Sequence, residues 1–313
     1  MELPRIGLDI PDRSSAATSV DCVIRAETRG VPMIWTTVGG VRPDGMTLIS
    51  AAMARTSTIK VGTAIVPTYP RHPGVLYTQA VSHYQLAPGR FRLGIGPSHQ
   101  SSMSDAFGLD MGKPLDHLRE YVTVLRSLLE TGESTFSGDY FNVRISGGAK
   151  APMPLYISAL RKNAFRLAGE VADGAISWLC PVHYLTETAI PSMREGAKEA
   201  GREMPRMIAH VPVALSDNLD RVREAAGPTV RRYARLPFYA RMFNDAGYPV
   251  GDDGAVTDDL LDHLVVNGDA ATVKSRLSEI LESDIDELLV MLIPTDDPAG
   301  EEEALSKIIA ELA

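Results

Sequence analysis

Apolar residues in this chain come in short, nearly unbroken runs separated by stretches of helical periodicity. The runs are "RIGLDI" (5–10), "PMIWTT" (32–37), "IKVGTAIVP" (59–67), "RFRLGIG" (90–96), "PLYISA" (154–159), "GAISWL" (174–179), "RMIAHVPVALS" (206–216) and "ELLVMLIP" (287–294). A strand with one wet face alternates apolar and polar residues, whereas continuous runs suit strands covered on both faces. Helices are predicted near 16–29, 46–57, 74–86, 114–132, 161–172, 183–201, from Asp269 onward, and over 298–312. The best marked is 114–132. Leu115, Leu118, Val122, Leu125 and Leu129 recur every three or four positions, with Pro114 in the first turn and Gly132 just past the last. Strand–helix alternation eight times over predicts an α/β fold, a TIM (β/α)8 barrel with insertions, with a doubly wound open sheet as the alternative. Residues 217–268 read as helical but broken by segments such as "AGYPVGDDG". The expectation is one barrel domain over 1–313 with an insertion or lid around 217–256.

Composition adds boundaries rather than detail. The 313 residues are 44% hydrophobic and 23% charged, ordinary for a globular chain long enough to bury a core without metal or disulfides. Cys22 and Cys180 lack metal-ligand spacing and are expected as buried thiols in a reducing cytoplasm. The sequence shows no basic leader with an apolar run and no 18-residue apolar stretch, so neither a signal peptide nor a membrane span is expected. A net charge of −9, from 31 basic and 40 acidic residues, argues against nucleic acid or an anionic membrane as partner. It leaves room for a small anionic ligand at a local site.

Several familiar motifs fail. Gly94-Ile95-Gly96 begins like a dinucleotide fingerprint, but His99 stands where the third glycine belongs, and the run is the fourth strand rather than the first. Ser98 is flanked by Pro97 and His99, so no nucleophile elbow forms, and no metal motif is present. In a barrel, chemistry collects at the carboxyl ends of the strands. Those ends carry Thr36 and Thr37, Thr63 with Thr68, Tyr69, Arg71 and His72 after it, Ser98 and His99, Ser158 with Arg161 and Lys162, and Trp178. Each has a plain alternative: His72 before Pro73 organises a helix start, Trp178 is core, His99 is structural. Arg161 and Lys162 are less easily dismissed, because cations at a helix N-terminus are unfavourable unless an anion is there. Backbone N–H groups at Gly96 and Ser98 and the helix beginning near 161 point to a phosphate, with Thr63 bordering a flat ring.

"GTAIVPTYPRHP" (62–73), "GRFRLGIGPSH" (89–99), "PLDHLREYVTVLRSLL" (114–129), "PLYISALRKNAFRLAGEVADGAISWLCP" (154–181) and "VVNGDAATVKSRL" (265–277) resemble, in order and spacing, the luciferase-like monooxygenase superfamily. The likeness is closest to its branch that uses coenzyme F420, an 8-hydroxy-5-deazaflavin. The resemblance covers nearly the whole chain and is weakest over 217–256. It implies a TIM barrel, usually a homodimer, with deazaflavin or FMN at the strand C-termini, and a non-prolyl cis peptide aligned with Thr63–Ala64 against the ring. It further implies cofactor contacts from Gly96, Pro97 and Ser98 and from Ser158, Ala159, Leu160, Arg161, Lys162 and Asn163. Trp35, Thr37, Tyr69 and Trp178 would line the substrate pocket. There are departures. Val38 and Gly39 stand where many deazaflavin members have Asp-His, and His99 replaces a glutamate of the sugar-phosphate dehydrogenases. Both argue against a sugar phosphate and make His99 the acid–base candidate. Pro97 removes one N–H donor from the phosphate loop. The implied activity is hydride transfer between the cofactor C5 and a small organic substrate. The rivals are an FMN-dependent monooxygenase and a non-catalytic binder of the same cofactors.

Overall fold

The computed structural model describes residues 3–39 and 42–313. Eight parallel strands form its centre: β1 Ile6–Asp9, β2 Met33–Thr36, β3 Lys60–Thr63, β4 Phe91–Gly96, β5 Leu155–Ser158, β6 Gly174–Ile176, β7 Arg206–Ala214 and β8 Glu287–Leu292. Each pairs with the next, and β8 pairs back to β1, so the sheet closes into the expected barrel. All eight coincide with the apolar runs, because a strand inside a barrel meets side chains within and helices without.

The alternation of side chains fixes what faces inward. Met33, Trp35, Ala64, Tyr156, Ile176, Ile208 and Leu289 form the interior cluster, with Ile65 and Trp178 half-buried above it. Glycines make room for the large members. A Cβ on Gly62 would lie 2.5 Å from both Met33 Cε and Trp35 Cζ3, and one on Gly7 would lie 2.9 Å from Met33 Cγ. Beneath the cluster is a fully buried polar network. The Arg92 guanidinium contacts Glu287 at 2.7 Å and donates to the Tyr156 hydroxyl from Nε (3.1 Å) and Nη2 (2.7 Å). It also lies over the rings of Trp35 and Tyr156 at 4.8 and 4.6 Å.

Helix starts follow their sequence signals. Ser15, Asp44, Asp269 and Asp297 cap helices Ala16–Thr28, Gly45–Ala54, Ala270–Leu281 and Pro298–Leu312 through side-chain oxygens. His72 takes the plain role set against catalysis. It is the N-cap of Pro73–Leu86, its Nδ1 accepting the Gly74 N–H at 3.1 Å. Gly132 ends Pro114–Thr131 in the left-handed conformation at φ 80°. Both cysteines are buried and free. Among the described residues no helix is long and apolar enough to cross a membrane.

Two elements escaped the sequence reading. "GESTFSGDYFNVRISG" folds into an antiparallel hairpin, Ser134–Ser137 with Asn142–Ile145. "QSSMSDAF" is a helix, Gln100–Phe107, starting directly after His99, with only Met103 buried. Such a polar helix gives no periodic signal to read. In the segment after β7, helices Leu219–Ala234 and Pro237–Asp245 bring Tyr233 and Tyr239 edge-on to His99, at ring separations of 5.7 and 5.8 Å.

Candidate active site at the barrel mouth

The third strand breaks just above the interior cluster. A non-prolyl cis peptide joins Ala64 to Ile65, one bond beyond the expected Thr63–Ala64. The chain then re-pairs with β4 through Val66–Pro67, opposite Ile95 and Gly96. In the gap the backbone ladder of Gly94 has no main-chain partner on β3. The Thr63 hydroxyl replaces it, donating to the Gly94 carbonyl at 2.7 Å and accepting its N–H at 2.9 Å. Thr63 is therefore fully buried and committed to the sheet, which corrects its expected side-chain contact with a ring. The Thr37 hydroxyl donates to the Ala64 carbonyl at 3.0 Å, and Thr37 is exposed at the rim. Ala64 is buried, and Ile65 offers the partly exposed surface at this point.

Gly94 tolerates nothing larger. A Cβ there would sit 2.1 Å from the Thr63 carbonyl oxygen, a backbone atom of the neighbouring strand. Gly94→Ala is expected to cost about 1–3 kcal/mol by overpacking. A urea denaturation series checks it, and an unchanged midpoint would show that the two strands are not held this tightly.

Beyond Gly94 the mouth on the β4–β5 side is built for close approach. A Cβ on Gly96 would meet Ser158 Oγ at 2.0 Å, so the serine side chain lies across the space that the glycine leaves. Ser98 follows in the left-handed region at φ 62°, uncommon for a residue with a Cβ. His99 and Arg161 are the N-caps of helices Gln100–Phe107 and Lys162–Val171, and neither side chain makes a capping hydrogen bond. Two helix N-termini with uncapped N–H groups thus adjoin Pro97, Ser98 and Ser158 at the carboxyl ends of two neighbouring strands. Leu160 and Arg161 are half-buried, while Lys162 and Asn163 are exposed. Arg161 pairs with Asp245 at 2.8 Å, tying this rim to the segment after β7. Such an arrangement suits an anion.

Other expected positions fall elsewhere. Trp35 is fully buried beneath the mouth, against Arg92 and Tyr156, so it is core rather than pocket wall. Tyr69 turns away to stack on His117 of Pro114–Thr131 at 3.9 Å, and its hydroxyl donates to the Met111 carbonyl. Ala159 is likewise buried, and its N–H is spent on the Ile176 carbonyl. Trp178 is at the mouth, stacked on His210 at 3.7 Å. Burial, reinforced by the Arg232 charge, holds the His99 imidazole below its ordinary range. The shift lowers the ring's proton affinity and favours its uncharged form.

The sequence reading missed Asp9 and His210. Asp9 ends β1 and is nearly inaccessible. Burial raises its carboxyl to about 6 in spite of the ion pair with Arg13. His210 on β7 is pushed down to about 3, by burial first and the Arg13 charge second. Both sat inside apolar runs and read as strand residues. The available signal was a lone polar side chain at an inward position, Asp9 at the carboxyl end of its strand and His210 midway along its own.

The buried histidines predict an acid weakness. Burial also holds His83 and His117 down at about 4. Their folded values lie below the unfolded 6.5, so the unfolded chain binds more protons in between and stability falls as pH drops from about 6.5 toward 4. Asp9, raised from 3.8 to about 6, works the other way across the same window. Three imidazoles outweigh one carboxyl, and the unfolding free energy at pH 5 is expected to be on the order of 2–4 kcal/mol below that at pH 7.5. Denaturant titrations at the two pH values check this.

A closed ring of eight parallel strands, each followed by helix and with the third strand broken, defines a TIM-type α/β barrel. Residues 3–287 match the luciferase-like monooxygenase family, and the chain belongs to it. One relative, the F420-dependent glucose-6-phosphate dehydrogenase of Nakamurella multipartita, is 30% identical over 65% of this chain. The match spans 64% of the relative's length, just under two thirds. Among solved structures, an F420-dependent secondary alcohol dehydrogenase in complex with an F420–acetone adduct superposes with a TM-score of 0.85 at 20% identity, covering all of both chains. The oxygenating constituent of 3,6-diketocamphane monooxygenase from Pseudomonas putida, in complex with FMN, gives 0.74 at 21% identity over 99% of each chain.

Proposed function

We propose that the chain is a coenzyme F420-dependent oxidoreductase acting on a small organic substrate. The observation that carries this is the rim of β4 and β5. Two uncapped helix N-termini adjoin Pro97, Ser98 and Ser158, with Lys162 exposed beside them and Arg161 paired to Asp245. That is a fitting seat for the anionic tail of a flat cofactor whose ring lies toward Ile65. In this reading Gly96, Pro97, Ser98 and Ser158 border the cofactor, and Leu160, Arg161, Lys162 and Asn163 hold its phosphate. When bound, the deazaflavin supplies a hydride at C5. The protein's part is to orient substrate, to exclude water with the segment over 217–256, and to manage one proton. His99, beside Tyr233 and Tyr239, exchanges that proton: protonated, it gives one to the substrate when the cofactor delivers hydride, and neutral, it takes one when the substrate is oxidised and the hydride returns to C5. Trp178 and Thr37 stand on the substrate side. The enzyme is read as a cytoplasmic homodimer, and sedimentation of the purified chain tests the dimer.

The cofactor is tested by titrating the purified protein with F420 and, separately, with FMN while following the visible spectrum. F420 is expected to bind more tightly. Preference for FMN would replace this reading with the monooxygenase one, which the fold likeness to the FMN complex supports. Binding of F420 without reduction of any carbonyl or imine acceptor by the reduced form would leave a non-catalytic binder.

A further inference from the structure

If the cofactor fills the half of the mouth bounded by β3, β4 and β5, the substrate is left with the half bounded by β6, β7, β8 and β1. The inward positions there follow from strand alternation. Trp178 continues the parity of Ile176, His210 that of Ile208, Met291 that of Leu289 and Asp9 that of Gly7. Two of these are polar and almost wholly buried: Asp9 is 4% exposed and His210 2%. Buried polar groups are normally paired, and each exception needs a reason. His210 accepts the Leu179 N–H at Nδ1 (3.3 Å), which places the ring's own proton on Nε2. That Nε2 is buried and has no partner, and the same is true of Nε of Arg13. Arg13 is held by Asp9, and its charge bears on His210.

We propose that Asp9, Arg13 and His210 form a subsite that grips an uncharged oxygen of the substrate, a hydroxyl or a carbonyl. The donors left idle, one on His210 and one on Arg13, want an acceptor oxygen. Asp9 accepts from a hydroxyl when ionised and donates to a carbonyl when protonated, so one constellation serves both partners of a carbonyl–alcohol couple. A carboxylate or phosphate is disfavoured there, because it would meet Asp9 and because the Arg13 charge is already spent on it. The Trp178 ring, stacked on His210, supplies an apolar wall for the carbon attached to that oxygen. This inference rests on the F420 reading only for which half of the mouth the cofactor takes.

The test uses the full chain labelled with 15N-histidine, with the His210 resonances assigned by His210→Gln. Acetone is the uncharged carbonyl probe and sodium acetate the charged one of similar shape. Acetone is expected to shift the His210 Nε2 signal saturably, and acetate is expected neither to shift it nor to displace acetone. Asp9→Leu and Arg13→Met should each weaken the acetone response about tenfold, the size of one lost hydrogen bond. Asp9→Asn, which keeps a polar arm, should weaken it less. Far-UV circular dichroism confirms folding, and the Asn variant carries the test if the Leu variant does not fold. A silent His210 signal, a response shared by acetate, or equal acetone affinity in wild type and Arg13→Met overturns the subsite. F420 titration of the same samples separates the two readings. Acetone binding without F420 binding removes the cofactor assignment and leaves the subsite, and the reverse outcome removes the subsite.

Discussion

Arg92→Met is expected to destabilise the protein by about 3–5 kcal/mol, the usual cost of removing one partner from a buried ion pair. Glu287 is wholly buried, and without Arg92 its nearest cation is Arg206 Nη2, at 3.6 Å. The Tyr156 hydroxyl would lose two donors at once, and the Trp35 and Tyr156 rings would lose the guanidinium between them. Methionine fills much of the same volume, so the loss measures the uncompensated carboxylate more than a cavity. The double variant Arg92→Met with Glu287→Met should recover most of it, since an apolar pair of similar size removes the charge that needs a partner. Guanidinium denaturation of the wild type, the two single variants and the double variant closes the cycle. A loss below about 1 kcal/mol in the Arg92 variant would mean that Glu287 is held by Arg206 or is protonated in the native state.

Arg92 also shows what the sequence allowed to be seen. "RFRLGIG" read as a strand on its apolar content, and a strand it is. The arginine within it drew no attention, although a charged side chain in a two-sided buried strand demands a partner. That partner, Glu287, opens the eighth run, 195 positions later, and nothing local connects the two. The same limit explains the site. The rim of β4 and β5 was legible because glycine, serine and paired cations follow directly on a strand. Asp9 and His210 were not, because what distinguishes them is parity. Whether an inward position lies at the floor or the mouth depends on the register among strands, which only the closed barrel sets. Thr63 and Trp35 failed for the opposite reason. Each was judged by chemical type, and packing then used the hydroxyl for a broken ladder and the indole for the interior. Helix Gln100–Phe107 buries almost nothing, so its existence depends on the chain geometry at His99 rather than on a pattern of its own.

His99→Gln is expected to lower turnover by about 10²–10⁴-fold, the range for loss of a positioned general acid–base group, while F420 affinity stays within a few-fold of wild type. The argument begins with what surrounds the ring. His99 directly follows Ser98, sits at the N-terminus of Gln100–Phe107 without capping it, and is edge-on to two tyrosines from the segment that follows β7. Two other histidines have fixed polar partners. His83 binds the Met46 carbonyl at 2.8 Å, and His72 caps a helix. His99 instead has aromatic neighbours and partial exposure, and its proton affinity is lowered by burial and by Arg232. Glutamine keeps the length and one hydrogen-bonding end but exchanges no proton near neutral pH. Turnover lost with cofactor binding intact therefore reports the proton, whereas turnover and F420 affinity falling together would report a damaged rim. Because the imidazole titrates below its ordinary range, the wild-type rate should rise with pH through that lowered value in the direction that consumes a proton from substrate, and the glutamine variant should show no such rise. If the variant turns over at the wild-type rate with F420 bound, the proton passes elsewhere, and Asp9 becomes the group to substitute next.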